Sequence, residues 1–401
     1  MRLIGFLVLM IPAVTYAQNG AEPIKIGVLH SLSGPMGENG RPLVDAAELA
    51  VDELNKSGGL LGHEIEMVVV DGKSDWELFA HEAKRLIEKE HVSAIFGCWT
   101  SSCRKAVKPV VEKLNGLLFY PVQYEGLEES KNIIYMGAPP NQQIIPGVSW
   151  ALNHLGKRLY LVGSDYIFPR AANLIIRDVA QANKGEVIGE HYVPLHSHAM
   201  TAVINDVQKL QPDVILNTIN GEGNRYLFES LKQAGLDDIP IVSFSVSESE
   251  IENIEKAHRN NHYAVWSYFQ SIDSEVNRSF VRKFKRRFGS ERVIGEPMES
   301  TYVGIKLWAK AVREIQSKDP VSVTKNLSNQ SIEAPEGIVS VDAKTHHLWK
   351  MIRIGKAQKN GQFNIVWKSK YPIRPVPFPS YRLRPLWDKV FDELLSSGIQ
   401  K

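Results

Sequence analysis

Cysteine is almost missing from this chain: Cys98 and Cys103 are the only two in 401 residues. A disulfide framework of the kind that staples small secreted domains is therefore excluded, and two thiols without a flanking histidine pair make no zinc site. An excess of charge of one sign is missing too. The 47 Lys and Arg stand against 45 Asp and Glu. The basic residues are dispersed except for the short run from Lys283 to Arg287, so the electrostatic footprint of a nucleic-acid binder is lacking. No Gly-x-Ser-x-Gly elbow, no His-Glu-x-x-His and no histidine cluster at metal spacing occurs; His196 and His198 flank one serine in a polar loop expected to be solvent-exposed. A hydrolase would lack its nucleophile, base and orienter, and the residues point away from an enzyme and from any cofactor.

Long apolar runs are confined to the start of the chain. Arg2 is followed by an apolar stretch from Leu3 to Val14 and by Thr15-Tyr-Ala17, with small residues where a signal peptidase reads. Pro12 interrupts that stretch, which falls short of the roughly 20 residues that span a bilayer. Residues 1–17 are expected to be a signal peptide cut after Ala17, and with no Cys at the cleavage region the mature chain is expected to be free in the periplasm, not embedded in a membrane.

What remains is enough for two domains of ordinary size. Buried strands at Ile24–His30, 65–71, 93–97 and 117–120 alternate with helices at 39–57, 75–90 and up to Leu114, which predicts a doubly wound α/β half. A second series follows the Pro139-Pro140 punctuation: helix 142–155, strand 158–163, helix 169–183, strand 187–193, helix 199–210, strand 214–218, helix 223–234 and strand 241–244. Helices at 275–288 and 297–315 come later. Tyr371 to Pro379, with four prolines in nine residues, is expected to be extended and surface-wrapping, with a short amphipathic helix at 387–395. The glycine loop Gly34-Pro-Met-Gly37-Glu-Asn-Gly40 has the wrong spacing for a dinucleotide fingerprint and reads as a strand-to-helix turn, with Ser33 a peripheral contact.

Two segments about twenty residues apart carry the strongest functional signal. FGCWTSSCRKAV from Phe96 and LLFYPVQYEGLE from Leu117 each run from apolar strand residues into a polar, aromatic turn. In an open parallel sheet ligands sit beyond the carboxyl ends of the strands, so Trp99, Thr100, Ser101, Tyr120, Gln123, Tyr124 and Glu125 supply ring walls with fixed donors and acceptors for something small and uncharged. Ser101 opens a helix whose unpaired N–H groups suit a carbonyl oxygen, while Thr100 and Ser101 also read as helix caps. From the second series, Tyr166 and Phe168 are candidate lid rings and Asn220 a candidate hydrogen-bond partner on closure. Trp266 and Tyr268 read as interlobe packing. Cys98 and Cys103 span a strand end and a first helical turn. That separation just permits a disulfide, but so short a ring gains little from one, and two free or buried thiols are the favoured of the two readings.

With GAPPNQQIIP from Gly137, GSDYIFPRAAN from Gly163 and ILNTINGEGN from Ile215, these segments resemble the periplasmic urea-binding components of ABC transporters, a type I substrate-binding branch related to short-chain amide receptors. The resemblance implies two Rossmann-like lobes joined by a hinge: residues 22–141 with 271–330 returning to them, and 142–270 with 331–370 returning, followed by a wrapping tail over 371–401. It implies that urea or a similar small amide is captured between the lobes and delivered to ABC permease subunits, with Ser101 and Tyr120 as pocket residues. Gln123 stands where the amide receptors carry proline, and with Glu125 it offers the extra acceptors that urea needs. The competing ligands are short-chain amides and branched-chain amino acids; a competing role is an amide-sensing regulator, which the leader sequence disfavours.

Overall fold

The computed structural model describes residues 22–396 apart from 196, 257, 258, 260 and 329. The expected signal peptide at 1–17 and the reading of His196 lie outside the described residues.

The first sheet contains β1 (Ile24–His30), β2 (Ile65–Asp71), β3 (Ile95–Gly97), β4 (Leu118–Tyr120) and β5 (Ile133–Tyr135), all parallel in the order β2-β1-β3-β4-β5. Helices α1 (Gly37–Lys56), α2 (Trp76–Glu88) and α3 (Ser101–Lys113) connect them. Side chains alternate between the faces. Phe96, Phe119 and Ile134 enter one apolar core, and their neighbours Ile95, Leu118 and Ile133 enter the other, so the strands read as continuous apolar runs because both faces are covered.

The second sheet repeats the plan. After α4 (Ile144–His154) come β6 (Arg158–Ser164), α5 (Ile167–Ala182), β7 (Glu186–Val193), α6 (Thr201–Leu210), β8 (Val214–Thr218), α7 (Gly223–Gln233), β9 (Ile241–Ser243), α8 (Glu248–Glu252) and β10 (His262–Trp266). Their order β7-β6-β8-β9-β10 is the first sheet's order again. Then α9 (Glu275–Phe288), α10 (Glu296–Ile315) and α11 (Pro320–Leu327) return to the first half, where Phe280 and Trp308 are core residues. The expected two-lobe, doubly wound α/β architecture is observed.

One expectation is corrected in part. Residues 331–370 do not all go to the second half, because β11 (Ser331–Ala334), β12 (Gly337–Val341) and β13 (Leu348–Trp349) point Ala334, Val339, Val341 and Leu348 into the first core. Only β14 (Arg353–Ala357) and β15 (Phe363–Lys368) join the second sheet, antiparallel beside β10. The tail then crosses the surface. Leu127 N–H donates to the Pro377 carbonyl, Arg382 clasps Asp178 with two bonds, and α12 (Arg384–Ser396) buries Trp387, whose indole N–H donates to the Pro379 carbonyl.

Three connections pass between the halves, after β5, after β10 and between β13 and β14, and one buried charge cluster ties all three. Lys350 Nζ donates to the Met136 carbonyl at 2.8 Å and pairs with Glu296 at 3.1 Å and Glu336 at 3.3 Å. The other Glu296 oxygen accepts from the Ser267 and Tyr268 N–H groups, and Arg353 donates to the Ser267 and Glu336 carbonyls. With Glu299, three carboxylates face two cations out of water.

Removing Lys350 strands those carboxylates, so Lys350→Met should cost about 3 to 5 kcal/mol in denaturant unfolding. Burial raises the Glu336 carboxyl from the ordinary 4.5 to about 7 against the pull of Lys350. The folded chain thus keeps a proton that the unfolded chain releases, and this contribution to stability is lost as pH rises from about 4.5 through 7. Glu248, raised to about 8 by burial, adds a slope of the same sign. Glu336→Gln should flatten the dependence of unfolding free energy on pH across that window; an unaltered slope would remove Glu336 from the account.

Candidate functional site

In each sheet the strand order reverses beside the first strand of the half, between β1 and β3 and between β6 and β8. Such switch points place a crevice beyond the carboxyl ends of the strands. The expected site residues sit there or beside it: Trp99 to Ser101 after β3, Tyr120 at the end of β4, Tyr166 after β6 and Asn220 after β8. All nine are buried, Trp99 being the most exposed at 8%.

Local backbone fixes the first segment. Gly97 lies so close to β1 that a Cβ there would stand 2.3 Å from the Leu29 carbonyl oxygen, and Cys98 turns the chain with φ of 66° while its N–H donates to that same oxygen. Thr100 then caps α3, its hydroxyl accepting from Cys103 N–H at 3.2 Å. Cys98 and Cys103 form a disulfide across a Cα separation of 5.6 Å, which corrects the expectation of free thiols. The left-handed turn at Cys98 brings the strand end back over the first helical turn, and spacing along the sequence did not contain that turn.

Beneath Ser101 lies a buried ion network. Ser101 Oγ donates to Glu125 and accepts from Arg104 at 3.2 Å; Arg104 also donates to Glu125 at 2.8 Å and to Glu128 at 2.9 Å. Lys105 reaches Glu128 at 2.9 Å. Burial opposes the charge on Glu128, but Arg104, Lys105 and Lys108 outweigh it and hold the carboxyl well below its ordinary range. Burial likewise opposes the Arg104 charge and is overcome by Glu128 and Glu125. The guanidinium lies 4.8 Å from the Tyr120 ring centre and 4.3 Å from that of Tyr124.

Among the remaining residues, Gln123 bonds across the halves. Tyr120 donates to the Trp99 carbonyl at 2.6 Å. Tyr166 comes from the second half, and its hydroxyl is made a weaker acid by burial first, then by the nearby Tyr120 and Glu125. Phe168 packs with Tyr166 at 6.4 Å between ring centres. Gln123 is held where Gly137 passes within contact of Val122; its Nε2 donates to the Phe244 carbonyl at 2.8 Å and to Ser245 at 3.2 Å across the halves. Asn220 is bonded within the second half: its N–H donates to Ser164 and its Nδ2 to the Thr218 carbonyl. Trp99 Nε1, Gln123 Oε1 and Gln143 Oε1 are buried and have no protein partner among the described residues. Nearer the surface a cavity of about 170 Å³ lies between the halves, lined by Glu38, Asn39, Glu222, Asn224, Arg225 and Glu250 among others, and crossed by a bond from Asn39 to Glu250. None of the nine expected residues lines this cavity. His198 is exposed as expected and stacks on Tyr226.

Arg104, Glu128, Gln143, Ser164 and Ser245 were not anticipated from sequence. A signal for the first two existed: Ser101 and Arg104 are one helical turn apart, as are Lys105 and Lys108, and Glu125 and Glu128 repeat the three-residue step with opposite charge.

The periplasmic binding protein domain family matches residues 24–384. The chain belongs to that family, and its fold is the type I periplasmic binding protein fold. It is 23% identical over 347 residues to the Leu/Ile/Val-binding protein homolog 7 of Brucella abortus, spanning 80% of this chain and 86% of that one. A substrate-binding protein of an ABC transporter from R. palustris, solved with 4-hydroxybenzoate, superimposes with a TM-score of 0.81 at 20% identity, over 88% of this chain and 98% of the other. A limonene hydroxylase of Geobacillus stearothermophilus shares 40% identity over 116 residues, which is 29% of this chain; the match spans only 21% of that protein's length.

Arg104→Ala would leave Glu125 and Glu128 buried with little compensation, and should destabilise the fold by about 3 to 5 kcal/mol in chemical unfolding. Arg104→Lys keeps the charge without the three-way fork and should recover only part of that loss. Full recovery would show that charge alone, and not the fork, is what the network needs.

Proposed function

We propose that this chain is an extracytoplasmic solute-binding protein that captures urea between its two lobes and delivers it to the membrane permease of an ABC transporter. Family membership supports the solute-binding role and a periplasmic location. The lobes on this reading are residues 22–141 with 271–349, and 142–270 with 353–370, and the three connections between them act as the hinge. Ligand bonded to both lobes stabilises the closed form over the open one. Relatives that match most of this chain are solute-binding proteins by name, which supports a binding role over a catalytic one.

One observation carries the choice of ligand: Arg104, within the first pocket segment, is already paired with Glu125 and Glu128, while Gln123 keeps a buried carbonyl oxygen without a protein donor. An amino acid or a benzoate brings a carboxylate that wants a cation of its own. A neutral molecule rich in N–H groups suits the site better. The Ser101 hydroxyl proton is committed to Glu125, so the donors for the urea carbonyl are the first N–H groups of α3, which stand outside the helix's own ladder. Urea N–H groups then meet Gln123 Oε1 and, on closure, the ends of β6 and β8 near Asn220, with Trp99, Tyr120, Tyr166 and Phe168 excluding water.

Isothermal titration of the mature chain with urea, acetamide, leucine and 4-hydroxybenzoate tests this directly, and tighter binding of either acid than of urea would overturn it. Gln123→Met removes the acceptor at nearly constant volume and costs both ligands the same bond to Phe244. The urea-to-acetamide affinity ratio should nonetheless fall about tenfold, because acetamide has a methyl where urea has an NH₂. A constant ratio would place selectivity elsewhere.

A further inference from the structure

We propose that the Cys98–Cys103 disulfide is a positioning element of the ligand loop, holding Trp99, Thr100 and Ser101 in the arrangement that receives the ligand. The inference rests on the reading that these residues line the site. Their loop is a ring closed at both ends: β3 delivers Cys98, α3 begins at Ser101, and the two sulfur atoms join the strand end to the first turn of the helix. Both cysteines are buried in the core on that face of the first sheet. Inside the ring, the Trp99 carbonyl takes the Tyr120 hydroxyl, Thr100 caps α3 on Cys103 N–H, and Ser101 is fixed by Glu125 and Arg104.

So short a ring constrains the unfolded chain far less than a long one does, so global stability is a poor explanation for it. Its local effect is stronger. Cys98 is a non-glycine residue with φ of 66°, a conformation L residues leave unless neighbours hold them. The Cys98 N–H bond to Leu29 holds one side of that residue, and the disulfide holds the other. Without the covalent link, Trp99 and the N–H groups at the head of α3 would sample positions that must be re-ordered each time ligand binds, and that ordering is subtracted from affinity.

The test begins on the native chain. The peptide holding both cysteines should be two hydrogens lighter than its reduced form and should resist alkylation until reduced; two free thiols would overturn the proposal. Cys98→Ala/Cys103→Ala should weaken urea binding by about tenfold while the melting temperature moves by only a few degrees. Dithiothreitol should do the same to the native chain, its two thiols passing their hydrogens to the protein sulfurs and leaving as the cyclic disulfide, and should not affect the double variant. Affinity within about twofold of the native chain overturns the proposal. If the native chain does not bind urea at all, the ligand reading fails separately, and amide exchange decides: faster exchange confined to residues 98–103 of the double variant supports the positioning role, and unchanged exchange overturns it.

Discussion

The guanidinium of Arg104 is the fixed point of the site. It is taken entirely out of water, a cost tolerable only because two carboxylates and a hydroxyl oxygen meet its fork in one plane of donors. That requirement acts on everything around it. Glu125 and Glu128 must lie three residues apart in the loop after β4, α3 must begin at Ser101, and Tyr120 and Tyr124 must present their ring faces to the cation. The first lobe therefore holds these side chains in a buried, mutually bonded network.

A second buried charge cluster plays the corresponding part between the lobes. Lys350 and Arg353 hold the three connections through backbone carbonyls and through Glu296, so the connections meet at one place in the fold. On the proposed reading these connections are the hinge, and the cluster that gathers their backbone groups is its pivot. The excess of carboxylates over cations means that a proton is part of the pivot, with burial the reason that Glu299 holds one so far above the ordinary carboxylate range. The two clusters differ in that respect: around Arg104 the cations suffice to keep Glu128 ionised.

Much of this was legible in sequence, for reasons that can be named. Continuous apolar strands alternating with amphipathic helices point to a parallel sheet covered on both faces, and most expected elements lie within a residue or two of their observed ends. Strand β5 was not anticipated because three residues, Ile133 to Tyr135, carry no period of their own and are recognised only by pairing with β4. The division of residues 331–370 was hidden for a similar reason: β11 to β13 are short antiparallel pieces whose destination is set by which core has room for Ala334, Val339 and Leu348. At the site, the residue types were readable but their partners were not. Glu125, read as an acceptor for ligand, spends its carboxylate on Ser101 and Arg104, and the disulfide depended on one left-handed residue that no spacing rule reports.

That reassignment of Glu125 sharpens what the pocket can recognise. Once Glu125 and the Ser101 hydroxyl proton are committed to each other, the first lobe presents backbone N–H groups at the head of α3 and aromatic walls, with Gln123 Oε1 as its uncommitted acceptor. Gln123 also reaches across to Phe244 and Ser245 through its Nε2, so the side chain whose Oε1 lacks a partner is tied to the second lobe. If Gln123 binds ligand as proposed, recognition and closure share an amide. A ligand that satisfies Oε1 fixes the orientation of the whole group, and with it the direction in which Nε2 points at the other lobe. A ligand that leaves Oε1 unpaired keeps a buried acceptor at a cost of the order of 1 to 3 kcal/mol in the closed form alone, because in an open form water can reach it. On the proposed reading, discrimination is a difference in how completely the lobes close, and a neutral ligand with N–H groups at both ends is the kind that lets them do so.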